Sequence, residues 1–121
     1  MTDSNPVETS RANLIGKLKA APHGSRKLDC DIAVFLGRVP DGAVWHKARD
    51  CWWTPRGAQF APEWTTSIDV ALSLMPDGRM WDIDSLGYAT IFGSETKTPI
   101  LGRGNGATPA LGVCIAAIGI I

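Results

Sequence analysis

The segment most suited to ligand chemistry is a glycine-rich stretch near the end of the sequence. Residues 102–109 read Gly-Arg-Gly-Asn-Gly-Ala-Thr-Pro, directly before a predicted helix start. Glycines let backbone N–H groups turn toward a ligand, and a helix start offers unpaired donors and a partial positive charge. An arginine adds a planar guanidinium that suits phosphate. The stretch therefore predicts a ligand site at the helix start that Thr108 caps, in which the amides around Gly104 and Gly106 hold a phosphate, Arg103 neutralises it and Asn105 contacts a polar edge of the ligand. The commoner alternative is a loop that ends in an ordinary Thr-Pro helix cap.

Tryptophan is the second candidate for ligand contact, with five residues in a chain of 121. Trp52 and Trp53 are adjacent, so in a strand their side chains point to opposite faces. One can fill the core, whereas the other must be covered by a loop, a partner or a ligand. Arg56 follows closely, and a tryptophan beside an arginine suits a stacked nucleobase with a nearby phosphate. Packing in the core is the alternative for most of the five rings.

Groups for acid–base or nucleophilic catalysis are few. His46 and Cys51 could meet across a pair of strands as base and nucleophile, but the spacing indicates no third group to orient the histidine. Asp82 and Asp84 share one face of a predicted strand, as a metal or acid–base pair would require; a solvated strand face is the simpler interpretation. The sequence has no Walker loop, dinucleotide fingerprint or zinc-ligand spacing. We therefore expect a protein that is not an enzyme and uses no cofactor or metal.

Composition and charge exclude several classes of partner. Twelve Lys and Arg residues balance twelve Asp and Glu residues, whereas general nucleic-acid binders and polybasic membrane proteins carry excess positive charge. The odd number of widely spaced cysteines, Cys30, Cys51 and Cys114, favours reduced, buried thiols in a cytosolic protein. The start of the sequence is polar, unlike a secretory signal, and the apolar stretch 111–121 is about half the length of a membrane-spanning helix. We expect a cytoplasmic protein that binds neither membranes nor nucleic acid in general.

Four segments have the caps and apolar spacing of helices. The first helix begins near Asn5 or at Thr9 or Ser10, the second follows Ser25 and spans 26–36, the third begins at Thr66, and the fourth follows Thr108 and spans 110–121. Gly37 is a natural end for the second helix. The third and fourth helices are apolar on nearly all sides, which predicts burial on more than one side.

The remaining segments indicate short strands and turns. Strands are predicted at 43–47, 51–54, 79–84 and 88–92, an irregular stretch at 60–64, and a polar, glycine-rich loop at 93–107. This order predicts an α+β fold in which a small antiparallel sheet of three to four strands is layered with about four α-helices. We expect a single domain over 11–121, preceded by a flexible or capping segment at 1–10.

Three segments resemble a known family in the family's order. They are Asn13–Ala33, with its Ser25-Arg-Lys-Leu-Asp turn; Trp64–Gly78; and Ala107–Ala117. Together they resemble a family of small, mostly uncharacterised phage and prophage proteins known as the ABA sandwich domain. The resemblance implies helix–sheet–helix layering and a phage origin, and it implies no established activity. Family members usually continue the last helix with basic and alanine-rich turns. This sequence instead ends on apolar residues, which must be buried or packed on another subunit.

Two classes of function follow as hypotheses. The first is a phage counter-defence protein that sequesters a small nucleotide immune signal, cyclic or derived from ADP-ribose, without cleaving it in the host cytoplasm. A homo-oligomer formed through the apolar C-terminal helix would suit this function. The second is a phage accessory domain that binds another protein through its tryptophans and C-terminal helix and has no small-molecule ligand. An enzyme that degrades a nucleotide is the least favoured hypothesis.

Overall fold

The computed structural model describes residues 10–46, 48–74, 80–93 and 100–121. Its elements are α1 (Arg11–Ala20), α2 (Arg26–Leu36), β1 (Val44–His46), β2 (Cys51–Thr54), β3 (Gly57–Gln59), α3 (Ile68–Leu72), β4 (Met80–Ile83), β5 (Tyr88–Phe92), β6 (Ile100–Asn105) and α4 (Pro109–Ile118). The strands form two antiparallel sheets, β1-β2-β3 (sheet A) and β4-β5-β6 (sheet B). The predicted single-domain α+β fold is confirmed, although two three-stranded sheets replace the one sheet expected. Residues 1–9 of the predicted N-terminal segment lie outside the described residues.

Serine and threonine side chains begin the helices. Ser10, Ser25 and Thr108 each accept a hydrogen bond from a backbone N–H of the first helical turn. This confirms the predicted caps Ser25 and Thr108, and Ser10 is one of the three alternatives for the first helix. Gly37 ends α2 with a φ of 71°, the left-handed conformation that glycine adopts most easily. The third helix differs from the prediction, because Ser67 rather than Thr66 caps it. It is also short, and of its five residues only Ala71 is buried.

Helix α4 forms the centre of the core. Every residue from Ala110 to Ile118 is buried. The helix packs against β5 and β6 on one side and contacts α1 and α3. The rest of the chain therefore covers this apolar helix, and its composition no longer argues for a second subunit. The homo-oligomer stays a prediction.

The helices separate the two sheets. Sheet A contacts α2 through β2, α2 contacts α1, α1 contacts α4, and α4 contacts sheet B. The family resemblance implies helices on both sides of a sheet, whereas these contacts place helices between two sheets. Within the described ranges, none of the helices is long and apolar enough to cross a membrane.

Two strands were not expected from the sequence. The loop predicted at 93–107 is wrong for residues 100–105, which form β6 and pair with β5. Strand β3 pairs with β2 through a tight turn at Pro55 and Arg56, where the sequence predicts only that a strand ends. Glycine lowers the strand propensity of both segments. In β6, however, the absence of side chains is what allows α4 to approach, since a Cβ at Gly102 would lie 2.8 Å from Ile120 and 3.0 Å from the Ala116 carbonyl oxygen.

Candidate functional site

Arg103 and Asn105 lie on the face of sheet B that points away from α4. Side chains alternate along a strand, and the intervening Gly104 faces the helix. The strand register places Tyr88 opposite Asn105 and Thr90 opposite Arg103. Together with Lys19 at the end of α1, they surround a concavity of about 280 Å³, here called the Arg103 pocket. Its lining residues are Lys19, Tyr88, Ala89, Thr90, Arg103, Gly104 and Asn105.

The Arg103 pocket combines two cations with an aromatic ring. Lys19 and Arg103 are both exposed, and within the described ranges neither forms an ion pair. Tyr88 is 53% exposed, so one side of its ring is open to a ligand. Asp82 lies on the same face of the sheet, opposite Thr90 and therefore one strand further from Arg103. The lining itself carries positive charge, which favours an anionic ligand.

The backbone amides predicted to hold a phosphate are already used. The N–H of Gly106 donates to the carbonyl oxygen of Gly87 at 3.0 Å. Hydrogen-bonded pairs recur at every second residue of an antiparallel ladder, so the N–H of Gly104 points at its partner Ala89. The prediction that these two glycines present free donors is therefore wrong. An anion at this site has to be held by side chains.

Thr108 caps helix α4 and does not line the Arg103 pocket. Its hydroxyl accepts a hydrogen bond from the N–H of Leu111 at 3.2 Å. It lines a separate concavity with His23, Thr66 and Pro109 at the start of α4. Thr108 thus has the capping role that the alternative interpretation of this segment gives it.

Trp52 and Trp53 point to opposite faces of sheet A, as their adjacency predicts. Trp52 is 5% exposed and faces α2, whereas Trp53 is 40% exposed on the outer face. The guanidinium carbon of Arg49 lies 6.0 Å from the centre of the Trp53 ring. Arg56 lies in the turn between β2 and β3 and lines a concavity of about 410 Å³ with Pro40 and Asp41. Neither Trp52 nor Trp53 lines this concavity, so a nucleotide site shared by a tryptophan and Arg56 stays a prediction.

The eight residues predicted as one site occupy different surfaces. Arg103, Gly104 and Asn105 share one pocket, while Gly106 is buried against α4. Trp52, Trp53 and Arg56 belong to sheet A, which the helices separate from sheet B. Sequence reasoning missed the other four residues that line the Arg103 pocket, which are Lys19, Tyr88, Ala89 and Thr90. The alternation of residues 88–92 could have placed Tyr88 on the outer face, but the sequence contains no signal for Lys19.

The family resemblance rests on sequence motifs alone. Comparisons with protein-family models, curated proteins and solved structures found no match. The likeness to the phage ABA sandwich family therefore stays a prediction. What this chain can bind follows from the geometry of its own surfaces.

Cys51 and Asp84, one from each candidate catalytic pair, have structural roles. His46 lies directly opposite Cys51 in the register of β1 and β2. Cys51 is fully buried, and His46 Nδ1 is a buried atom without a hydrogen-bond partner among the described residues. Burial closes this thiol to a substrate, and among the described residues the imidazole contacts the ring of Trp53, with centres 5.5 Å apart, rather than a hydrogen-bonding group at Nδ1. Asp84 accepts hydrogen bonds from the N–H groups of Leu86, at 2.9 Å, and Tyr88, at 3.2 Å, and so stabilises the β4–β5 turn.

The other two cysteines are also unsuited to chemistry. Burial raises the pKa of Cys30 to about 11 and that of Cys114 to about 12. Cys30 donates a hydrogen bond to the carbonyl oxygen of Asp50, and Cys114 donates one to that of Trp64. All three cysteines are free and buried, as predicted. In the part of the chain that the structure describes, no cluster of His, Cys, Asp and Glu could hold a metal ion.

Proposed function

We propose that this chain binds a small nucleotide in the Arg103 pocket and holds it without cleaving it. In full, the proposal is a phage counter-defence protein that sequesters a cyclic or ADP-ribose-derived immune signal in the host cytoplasm. The phage and host parts rest on the sequence resemblance. The binding part rests on one observation, the convergence of Lys19 and Arg103 beside the exposed ring of Tyr88.

The two cations supply the contacts for phosphate. Lys19 comes from α1 and Arg103 from β6, so two different elements hold the charges on one concavity. Charge-assisted hydrogen bonds to phosphate are among the strongest that side chains make, and a guanidinium can form two at once. Neither cation is paired with an acid among the described residues, so an anion does not compete with any of the described carboxylates for them.

Tyr88 and Asn105 supply the contacts for a base. Stacking of a base on an aromatic side chain contributes about 1–3 kcal/mol. Asn105 lies directly across the ladder from Tyr88, and its side-chain amide can both donate to and accept from the polar edge of a stacked base. The pocket, at about 280 Å³, lies just below the usual range for ligand sites, which begins at about 300 Å³. We therefore expect it to take one nucleotide unit of a larger signal.

The chemistry of the lining favours binding over hydrolysis. Among the described residues, those that line the pocket include no imidazole, thiol or carboxylate side chain. Hydrolysis of a phosphodiester needs a group that activates water or a metal that replaces it. Lys19 and Arg103 can neutralise a phosphate but, as cations, do not accept a proton from water.

Calorimetry with the intact protein tests the proposal. The ligands are a panel of cyclic dinucleotides and cyclic ADP-ribose isomers, with the substitutions Arg103→Ala and Arg38→Ala. Both remove one exposed arginine, but only Arg103 lines the pocket. We expect one ligand class to bind and to be recovered unmodified. Its affinity should fall at least about tenfold in Arg103→Ala, because a charge-assisted contact is lost. Absence of binding across the panel, or equal weakening by both substitutions, would contradict the proposal.

A protein interface on sheet A is the second candidate function. Val44 is 67% exposed and pairs with Trp53, which is 40% exposed, on the outer face of the sheet. An exposed aromatic with an apolar neighbour is typical of the anchor of a protein interface. A stoichiometric partner that co-purifies with the wild-type chain and with Leu86→Ser, but not with Trp53→Ser, would support this function.

A further inference from the structure

A cavity of about 150 Å³ lies between α2 and sheet A. Trp45 and Trp52 form its wall on the sheet side, and Cys30 and Val34 form its wall on the helix side. Lys27 and Asp31 complete the lining; these side chains are 53% and 17% exposed. The cavity is thus apolar inside and has a charged pair at its solvent side. It is called the Trp52 cavity below.

We propose that the Trp52 cavity binds a single aromatic ring that carries an anionic substituent. This ligand is distinct from the nucleotide proposed for the Arg103 pocket, because the two sites lie on different sheets. Trp52 is 5% exposed, so it can contact only a ligand that enters this cavity.

The size and walls of the cavity suit one ring. An apolar cavity of roughly 150 Å³ is large enough to take benzene. The rings of Trp45 and Trp52 meet edge to face, with centres 5.5 Å apart and planes at 63°. Such a pair offers both a ring face and a ring edge, the two surfaces against which another aromatic packs favourably. The Cys30 wall stays apolar, because burial keeps its thiol protonated.

The charges at the mouth select the substituent. Asp31 is held by Lys27, with Nζ 2.7 Å from Oδ1, and by Lys17, with Nζ 3.8 Å from Oδ2. Lys17 lies outside the lining, but it shares the Asp31 carboxylate with Lys27, so this carboxylate does not neutralise Lys27 alone. Both lysine side chains are about half exposed, at 49% and 53%, and can turn toward an anion without leaving water. A cationic substituent would instead have to displace Lys27 from Asp31.

NMR of the tryptophan indole N–H groups tests this proposal with three probes that share a benzene ring and are similar in size but differ in charge. Benzoate, benzyl alcohol and benzylammonium are titrated into ¹⁵N-labelled protein, and Trp45→Phe assigns one wall signal by its loss. We expect saturable shifts of the Trp45 and Trp52 signals, with affinity falling from benzoate to benzyl alcohol to benzylammonium. Absence of saturable shifts, or shifts that spread equally over all five tryptophans, would overturn the proposal.

Three substitutions separate the contribution of the cavity's volume from that of the charge at its mouth. Val34→Phe fills the cavity and should abolish the shifts, whereas Val39→Phe, at a position 39% exposed, should leave them unchanged. Lys27→Gln should weaken the binding of benzoate about fivefold, which is the scale of an exposed charge contact. It should leave the affinity for benzyl alcohol unchanged. It alters only an exposed side chain, so it tests the charge even if Val34→Phe does not fold. An unchanged preference for benzoate in Lys27→Gln would overturn the anionic specificity.

Arg103→Ala distinguishes this inference from the proposed function. That substitution removes a cation from the other sheet and should leave benzoate binding unchanged. A loss of benzoate binding in Arg103→Ala would mean that the probe had bound in the Arg103 pocket, and the Trp52 cavity would then have no demonstrated ligand. Failure of the nucleotide panel has no bearing on the benzoate titration.

Discussion

Gly104 of β6 lies directly against Gly112 of α4. A Cβ built at Gly104 would stand 2.2 Å from the Gly112 carbonyl oxygen and 2.5 Å from the Ala116 backbone nitrogen. A Cβ at Gly112 would stand 2.0 Å from the carbonyl oxygen of Gly87. Backbone therefore packs on backbone where the central helix meets sheet B. These glycines keep the helix close to the sheet, and the N–H of Gly104 is used in the ladder with β5.

We expect Gly104→Ala to destabilise the protein because the added methyl group collides with backbone atoms that cannot turn aside. Overpacking of a core typically costs about 1–3 kcal/mol, and contact with backbone puts this substitution at the upper end or beyond. Urea denaturation measures the free energy of unfolding. The matched control is Gly16→Ala in α1, where a Cβ would meet nothing within 4 Å. The control should gain up to about 1 kcal/mol from helix propensity; a loss of similar size in both variants would contradict this packing.

The sequence could predict contacts between near neighbours in the chain but not contacts between distant segments. The helix caps at Ser10, Ser25 and Thr108 were predictable because a cap is local: the side chain bonds to an N–H three residues along the chain. Strand β6 was not predictable, since its glycines disfavour a strand locally. They are explained only by the nearness of α4, which the order of residues 100–105 does not reveal.

Some residues of the candidate site could likewise be predicted from the sequence, whereas others could not. Arg103 and Asn105 could be grouped from the sequence because they are neighbours on one strand. Tyr88 joins them through the register of β5 with β6, and Lys19 joins them through the packing of α1 against α4. Trp52 was wrongly grouped with Arg103, because nothing in the sequence indicates that the strands form two sheets with helices between them.

The buried carboxylate of Asp29 should make stability depend on pH. Its Oδ1 accepts hydrogen bonds from the N–H and the hydroxyl of Thr65, both at 2.8 Å. Burial nevertheless raises the pKa of Asp29 above its ordinary value. The folded state then holds this proton more tightly than the unfolded state. The contribution of Asp29 to stability is therefore present below its ordinary pKa and is lost as pH rises through the raised pKa.

Asp29→Asn isolates this effect. The amide keeps an oxygen that can accept from Thr65, but it cannot ionise. We expect the stability of the variant relative to wild type to increase as the pH rises from about 4 toward neutrality. Chemical denaturation at several pH values measures the difference, and taking the difference removes the titration of the other carboxylates. A difference that is constant with pH, or that falls as pH rises, would show that Asp29 does not titrate in this way.

The cysteines should be unreactive in the folded protein. Cys30, Cys51 and Cys114 are buried, and burial raises the pKa of Cys30 to about 11 and of Cys114 to about 12. Because the thiolate is the reactive form, these two thiols are both inaccessible and protonated near neutral pH. We expect a colorimetric thiol reagent to label none of the cysteines in native protein at about pH 8 and all three in denaturant. Rapid labelling of any cysteine without denaturant would contradict the burial.

Tyr88 should contribute to nucleotide affinity through its ring rather than its hydroxyl. The ring is 53% exposed at the edge of the Arg103 pocket, and a stacked base would cover it. Tyr88→Phe keeps the stacking surface and should bind the calorimetric ligand within about twofold of wild type. Tyr88→Ser removes the surface and should weaken binding by about tenfold, since stacking contributes about 1–3 kcal/mol per base. Leu86→Ser removes a side chain that is 74% exposed in the neighbouring turn, and it controls for a general change in the hairpin. Equal weakening by Tyr88→Ser and Leu86→Ser would mean that the hairpin, and not the ring, determines affinity.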